Sequence, residues 1–155
     1  MWLGESTHTL DGKHRVFIPK RFLAGLDRDR QGRTPVILTR GFEGCLFLFA
    51  EPGWESIVAG LETRAFAGPE ERKMQRLFFS QANYLTLDGA GRLLVPENLR
   101  AAVGMEREIV LVGAIDRVEI WPKAVWAAYC ETNAGDFDRL DQVLRGSAAD
   151  RDPQP

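Results

Sequence analysis

The sequence predicts an α+β domain in which strands dominate and two tandem copies of one small unit share a core. Three observations predict it. A segment at residues 10–26 recurs at residues 87–103; self-similarity of this kind marks a repeated architecture. Each copy then carries the same succession of turn, strand, short helix and hairpin signals. Finally, 155 residues with 45% apolar and 27% charged side chains can fill one globular core, whereas a unit of about 45 residues rarely fills its own.

The recurring segments read LDGKHRVFIPKRFLAGL and LDGAGRLLVPENLRAAV, a shift of 77. Leu10, Asp11, Gly12, Arg15, Pro19 and Ala24 answer Leu87, Asp88, Gly89, Arg92, Pro96 and Ala101. Val16, Phe17 and Ile18 match Leu93, Leu94 and Val95 as an apolar run. Past a loop five residues longer in the first copy, the register is expected to resume at a shift of 72, Ile37 answering Ile109, Gly41 answering Gly113, and Trp54 answering Trp126.

Taken in order, Asp11-Gly12 and Asp88-Gly89 are turn dipeptides. The apolar run after each, rich in β-branched and aromatic residues, predicts a strand ending at Pro19 or Pro96. Those prolines suit a first helical position, so a short helix is expected after each. Residues 36–39 with 45–49, and 108–112 with 118–121, predict two hairpins around glycine-containing turns. Between the copies, Trp54, Ile57, Val58 and Leu61 space one amphipathic helix. Pro69, with Glu70 and Glu71 in the first turn, opens another, with Met74, Leu77 and Phe78 as its expected buried face. Trp126, Tyr129 and Cys130 form a third stripe. The organisation is therefore a first repeat over 5–51, connecting helices over 52–80, a second repeat over 81–124, a C-terminal helical region over 125–146 and a disordered tail over 147–155.

Charge and composition narrow the function. Charge-free runs such as 44–50 and 109–115 are seven residues long, far short of the roughly 20 needed to cross a bilayer. The first dozen residues lack a basic then apolar leader, so a cytoplasmic protein is expected. Cys45 and Cys130 stand alone among apolar residues and are expected to be buried, reduced thiols. Net charge is -2, yet residues 1–40 hold eight Lys/Arg against four Asp/Glu, so the basic excess is N-terminal. Neither a nucleophile elbow, a phosphate-binding glycine loop nor an H-E-x-x-H motif occurs. Accordingly, no enzyme, small-molecule substrate or cofactor is expected. His8 and His14 lack further ligands at metal-binding spacing, and no metal site is expected.

With D-x-x-G-R, an apolar run and Pro occurring twice, the sequence resembles the MraZ family of bacterial transcription regulators over residues 1 to about 132. The second copy fits the pattern through Asp88, Gly91, Arg92 and Pro96. The first has His14 at the glycine position while Asp11, Lys13, Arg15, Pro19 and Arg21 match. The resemblance implies an AbrB-like fold whose two copies interlace into an intramolecular swapped-hairpin β-barrel, with assembly of such chains into a ring. It also implies repression through double-stranded DNA, at direct repeats in the promoter of the division and cell-wall gene cluster, including the chain's own gene, and hence association with the nucleoid. A ring-forming protein-interaction module without direct DNA binding is the alternative.

The residues give this implication a mechanism. An arginine beside a tight turn can offer its fork to guanine or to a phosphate. Over residues 10–23, Lys13, Arg15, Lys20 and Arg21 face only Asp11; over 87–100, Arg92 and Arg100 are balanced by Asp88 and Glu97. Arg15 is therefore expected as the principal DNA contact. Lys13, Lys20 and Arg21 would be its phosphate partners, His14 lies in the same turn, and Arg92 is secondary or structural. Asp11, Gly12, Asp88, Gly89 and Gly91 would shape the turns. If Gly91 takes a positive φ, His14 must do so too.

Overall fold

The computed structural model describes residues 1–61 and 64–149. Each copy contributes four strands. In the first these are β1 (Glu5–Thr9), β2 (Arg15–Phe17), β3 (Pro35–Arg40) and β4 (Leu46–Ala50), with α1 (Lys20–Leu23) between β2 and β3. Helices α2 (Glu51–Ala59) and α3 (Pro69–Phe79) follow. The second copy supplies β5 (Asn83–Thr86), β6 (Arg92–Leu94), α4 (Glu97–Val103), β7 (Glu108–Gly113) and β8 (Val118–Pro122). Strands β1 and β5 lie ahead of the segments that the repeat marked. Their short polar alternation, ESTHT and NYLT, carries little apolar signal.

The strands form a six-stranded antiparallel sheet in the order β1-β7-β8-β4-β3-β5 and a two-stranded ribbon, β2-β6. Only the hairpins β3-β4 and β7-β8 pair within a copy. The ladders β1-β7, β3-β5, β4-β8 and β2-β6 all join one copy to the other. Exchanging the copies reverses the sheet order onto itself, so a pseudo-twofold axis passes through the Phe47–Glu119 pair of the sheet and the Val16–Leu93 pair of the ribbon. The shared core expected from the repeat, and the interlacing that the resemblance implied, are this set of cross-copy ladders.

Between sheet and ribbon lies one core. Leu10, Val16, Ile18, Phe22, Val36 and Leu38 from the first copy meet Leu93, Val95, Leu99, Val103, Ile109 and Leu111 from the second. Burial of each such side chain contributes about 1.5–3 kcal/mol, and neither copy could realise it alone. The other sheet face carries an aromatic row. Phe47 packs edge-on against Phe49, and Trp54 of α2 lies 5.7 Å from Phe49, 5.7 Å from Phe78 and 5.6 Å from Phe79.

The structure corrects the register of the repeat. Val36 and Leu38 occupy the core positions that Ile109 and Leu111 occupy in the second copy, and Arg40 and Gly113 pair with Leu46 and Val118 at the hairpin mouths. Strand β3 therefore answers β7 at a shift of 73, while β4 answers β8 at 72. Val36, not Ile37, is the counterpart of Ile109. The first-copy loop is four residues longer, and the fifth extra residue lies in the β3-β4 turn. Side chains alternate faces along a strand, so core burial fixes this register where similarity of letters does not.

Further expectations change. Pro19 and Pro96 sit one position earlier, as extended N-cap residues with ψ of 147° and 148°. On α3, Leu77 is 65% exposed and Phe79 takes its place beside Trp54, because the large indole sets which helix face is covered. Trp2 is buried, donating Nε1–H to the Phe22 carbonyl at 2.8 Å. Its indole leaves no room for a side chain at Gly25, where a Cβ would lie 2.6 Å from the ring.

A second compact unit begins at Ala124. Within it, α5 (Lys123–Asn133) stacks Trp126 on Tyr129 with ring centroids 6.0 Å apart. Cys130, expected to be buried, is exposed, since α5 buries no residue. A 3-10 turn (Ala134–Arg139) and α6 (Leu140–Ala149) follow, through the expected helical region and slightly past its end. Helix α6 thus includes the first three residues of the expected disordered tail, and residues 150–155 lie outside the described part. No helix among the described residues is long and apolar enough to cross a membrane.

Candidate nucleic-acid interface

The two motif turns are built alike. Asp11 Oδ1 accepts the backbone N–H groups of Lys13 at 2.8 Å and Arg15 at 2.9 Å, and Oδ2 accepts Arg15 Nε–H at 2.8 Å. Asp88 does the same for Ala90 at 3.0 Å, Arg92 at 2.9 Å and Arg92 Nε–H at 2.7 Å. Aspartate is the residue whose short carboxylate can close a turn on its own backbone in this way. Gly12 and Gly89 are exposed inside the turns. Gly91 has φ of 78° and His14 φ of 61°, so the histidine takes the left-handed conformation required of its glycine counterpart.

These hydrogen bonds tune the carboxylates. The Arg15 N–H first, then that of Lys13 and the Arg15 guanidinium, holds Asp11 down to about 2 despite partial desolvation. The Arg92 N–H acts likewise on Asp88, lowering its pKa. Both turns stay anionic and closed at neutral pH.

Pairing of β2 with β6 brings the turns together. Arg15 stands opposite Leu94 and Phe17 opposite Arg92. Val16 and Leu93 point into the core, so these four side chains share the opposite face of the ribbon. Arg15 Nη1 lies 3.9 Å from Asp88 Oδ2, and the Arg92 guanidinium carbon lies 5.7 Å from the Phe17 ring. Both arginines engage aspartate through Nε, and among the described residues their Nη nitrogens donate no hydrogen bond. The result is a pseudo-symmetric pair of guanidinium forks, flanked by Phe17 at 58% and Leu94 at 53% exposure. The two apolar neighbours are functional candidates that the sequence reading passed over; the alternation Arg-x-Phe and Arg-x-Leu in the two strands was their signal.

The heavier bracing expected of Arg92 is not found: each arginine pairs through Nε with its own aspartate, and Arg15 also lies within ion-pair distance of the other turn's Asp88. The difference lies around them. Exposed Lys13, His14 and Lys20 flank the first turn, where the second has Ala90, Gly91 and Glu97. Arg21 reaches away to β1, where its Nη2 hydrogen-bonds the Glu5 carbonyl; it is partly committed to the fold. His8, which hydrogen-bonds Ser6 at 2.7 Å, has its pKa lowered by burial and by Arg21.

A third turn of the same construction occurs at residues 29–33. Asp29 Oδ1 accepts the N–H groups of Gln31 and Arg33, both at 2.9 Å, Oδ2 accepts Arg33 Nε–H at 2.8 Å, and Gly32 has φ of 76°. Its sequence, DRQGR, is a complete D-x-x-G-R without the apolar run and proline that follow the other two.

A family model described as "MraZ protein, putative antitoxin-like" matches residues 1–77 and again 78–144, each match holding one copy of the interlaced unit. The chain belongs to the MraZ family. Among curated relatives, the "Transcriptional regulator MraZ" of Pelotomaculum thermopropionicum is 38% identical over 93% of this chain and 95% of its own length. The protein of the same name from Moorella thermoacetica is 36% identical over 93% and 96%. That from Desulfitobacterium hafniense (strain DSM 10664 / DCB-2) is 41% identical over 83% and 86%. This MraZ-family chain is thus similar to its relatives across both copies, including the ribbon on which the two turns meet.

Proposed function

We propose that this chain is a transcriptional regulator that binds double-stranded DNA through the β2-β6 ribbon, with Arg15 as the principal contact. The observation that carries this reading is the convergence of the two motif turns, which sets Arg15 and Arg92 on one outward face with their Nη nitrogens available. A two-stranded ribbon fits the major groove, where a guanidinium fork can read guanine and an apolar side chain can meet a thymine methyl. Lys13 and Lys20 would neutralise phosphates, with Arg21 in a lesser part and His14 beside them. Arg92 is the secondary contact. The proposed operator is a set of direct repeats in the promoter of the division and cell-wall gene cluster, which includes this chain's own gene, and binding there represses transcription. The proposed working form is a homo-oligomeric ring in the nucleoid, in which several faces act together by avidity.

Gel shifts on DNA upstream of the chain's own coding sequence, over a salt series, test this. Binding is expected to need several repeats and to weaken with salt, with a slope of roughly 0.9 per phosphate contacted. Arg15→Ala is expected to reduce binding more than Arg92→Ala, because the first turn has the flanking lysines. Equal losses in two folded variants would reject that ranking. The exposed Phe17 and Leu94 favour the second reading, a ribbon that docks a protein partner. It forecasts no salt-dependent binding to the promoter duplex at all.

A further inference from the structure

The loop from α1 to β3 is longer than the connection needs. The second copy makes the same passage, from α4 to β7, with four fewer residues relative to the common motif, ending its helix on Gly104 with φ of 62°. The first copy builds the Asp29–Arg33 turn from its additional length. Chain reversal alone does not require that construction.

Cross-copy pairing decides where this turn sits. Pro35 pairs with Thr86, and the Leu87 N–H donates to the Thr34 carbonyl at 3.0 Å. Arg33 precedes Thr34 and Asp88 follows Leu87, so the end of the first-copy loop is placed beside the motif turn of the second, while Asp27, Arg28 and Asp29 at its start line a hollow with Pro35, Ala50, Glu51 and Pro52. That second-copy turn has no lysine of its own. The loop brings Arg28, Arg30 and Arg33 against Asp27 and Asp29. Arg33 is engaged by Asp29, while the exposed Arg28 and Arg30 make no side-chain hydrogen bond or ion pair among the described residues.

We infer that this loop is a third DNA contact, in which Arg28 and Arg30, held by the Asp29–Arg33 turn, grip the phosphate backbone on the side of the Asp88 turn. The inference rests on the DNA-binding reading above. It gives the asymmetry of the copies a purpose: the first turn has its phosphate contacts in its own strand and helix, whereas the second receives them from the other copy. Contacts to phosphates position a protein without reading sequence.

The test is the full-length double variant Arg28→Gln/Arg30→Gln, which leaves the Asp29–Arg33 brace intact, with circular dichroism to verify folding. It is titrated onto the upstream promoter duplex and onto a scrambled duplex of equal length, over a salt series. Affinity for both duplexes is expected to fall by the same factor. The slope of log affinity against log salt should fall by roughly 0.9 for each phosphate that the variant no longer neutralises, and Arg28→Lys/Arg30→Lys should restore both. Unchanged affinity and slope, with the unsubstituted chain still binding the promoter, would overturn the loop contact and leave the DNA reading standing. A loss confined to the promoter duplex would assign the loop to bases and overturn the phosphate assignment. Failure of the unsubstituted chain to bind the promoter would overturn both readings.

Discussion

His14 holds a backbone conformation that its counterpart Gly91 adopts without a Cβ. A left-handed residue other than glycine costs about 1–2 kcal/mol, partly offset because glycine has more entropy to lose on folding. His14→Gly is therefore expected to raise stability by up to about 1 kcal/mol in urea denaturation, and Gly91→Ala to lower it by about as much; a His14→Gly chain less stable than the original would contradict this. The carboxylates of Asp11, Asp29 and Asp88 make a second residue-scale forecast. All three are depressed in the fold, Asp11 to about 2, against about 3.9 for an unperturbed aspartate. A depressed carboxylate contributes stability that is whole above the unfolded value and is lost as pH falls through the folded one. The melting temperature should fall between about pH 5 and pH 2, and Asp11→Asn should flatten part of that slope. A profile identical in the variant would show that the turn contributes nothing.

The β2-β6 ribbon divides its labour between two faces. Leu93 is fully buried against residues of both copies, whereas Phe17 on the opposite face is more than half exposed. Leu93→Ala should cost about 2–5 kcal/mol, and Phe17→Ala less than about 0.5 kcal/mol, measured by urea denaturation. Comparable losses from the two would mean that the outer face is also packed. On the sheet, the hairpin β7-β8 ties a partly hidden charge. Glu119 accepts Arg117 Nε–H at 3.0 Å and Trp121 Nε1–H at 2.9 Å, and the Arg117 guanidinium lies 4.7 Å from the Phe47 ring across the β4-β8 ladder. A buried carboxylate persists when its oxygens are satisfied in this way. Nearby, burial and then the Glu119 charge push the Cys45 thiol up to about 12, so this cysteine is inert at neutral pH.

For residues 1–123 as a whole, cross-copy ladders outnumber those within a copy, and folding of either half depends on the other. Assembly beyond one chain is a separate matter. Trp2 is taken up by the core, and Phe78 and Phe79 pack against Trp54 inside the chain. Leu3 at 61% and Phe42 at 63% exposure remain available, and apolar residues left in the open mark interaction surfaces when they gather with others. We expect a closed homo-oligomer, and substitution of Leu3 and Phe42 by serine should shift it toward smaller species. Light scattering at micromolar concentration checks this against the 17.4 kDa chain mass, and a monomer would refute it.

The sequence by itself determined the two-copy plan, both hairpins and both motif turns, because these depend on neighbours a few residues apart: an aspartate that closes its own turn, a glycine or histidine that accepts positive φ, an apolar run that stops at proline. It also contained the third turn, DRQGR, legible as a motif yet hidden by the lack of a strand after it. Only the tertiary structure decided the rest. Strands β1 and β5 are defined by partners about a hundred and about fifty residues away, respectively, and neither has an apolar run of its own to announce it. The one-residue correction that sets Val36 against Ile109 came from which side chains reach the core. Arg15 and Arg92 share a face because two distant strands pair, and the β3-β5 ladder likewise brings the end of the Asp29–Arg33 turn next to the start of the Asp88 turn. Local chemistry fixes turns, whereas long-range pairing fixes which turns meet, since the gain that selects it comes from burying apolar surface neither copy can bury alone.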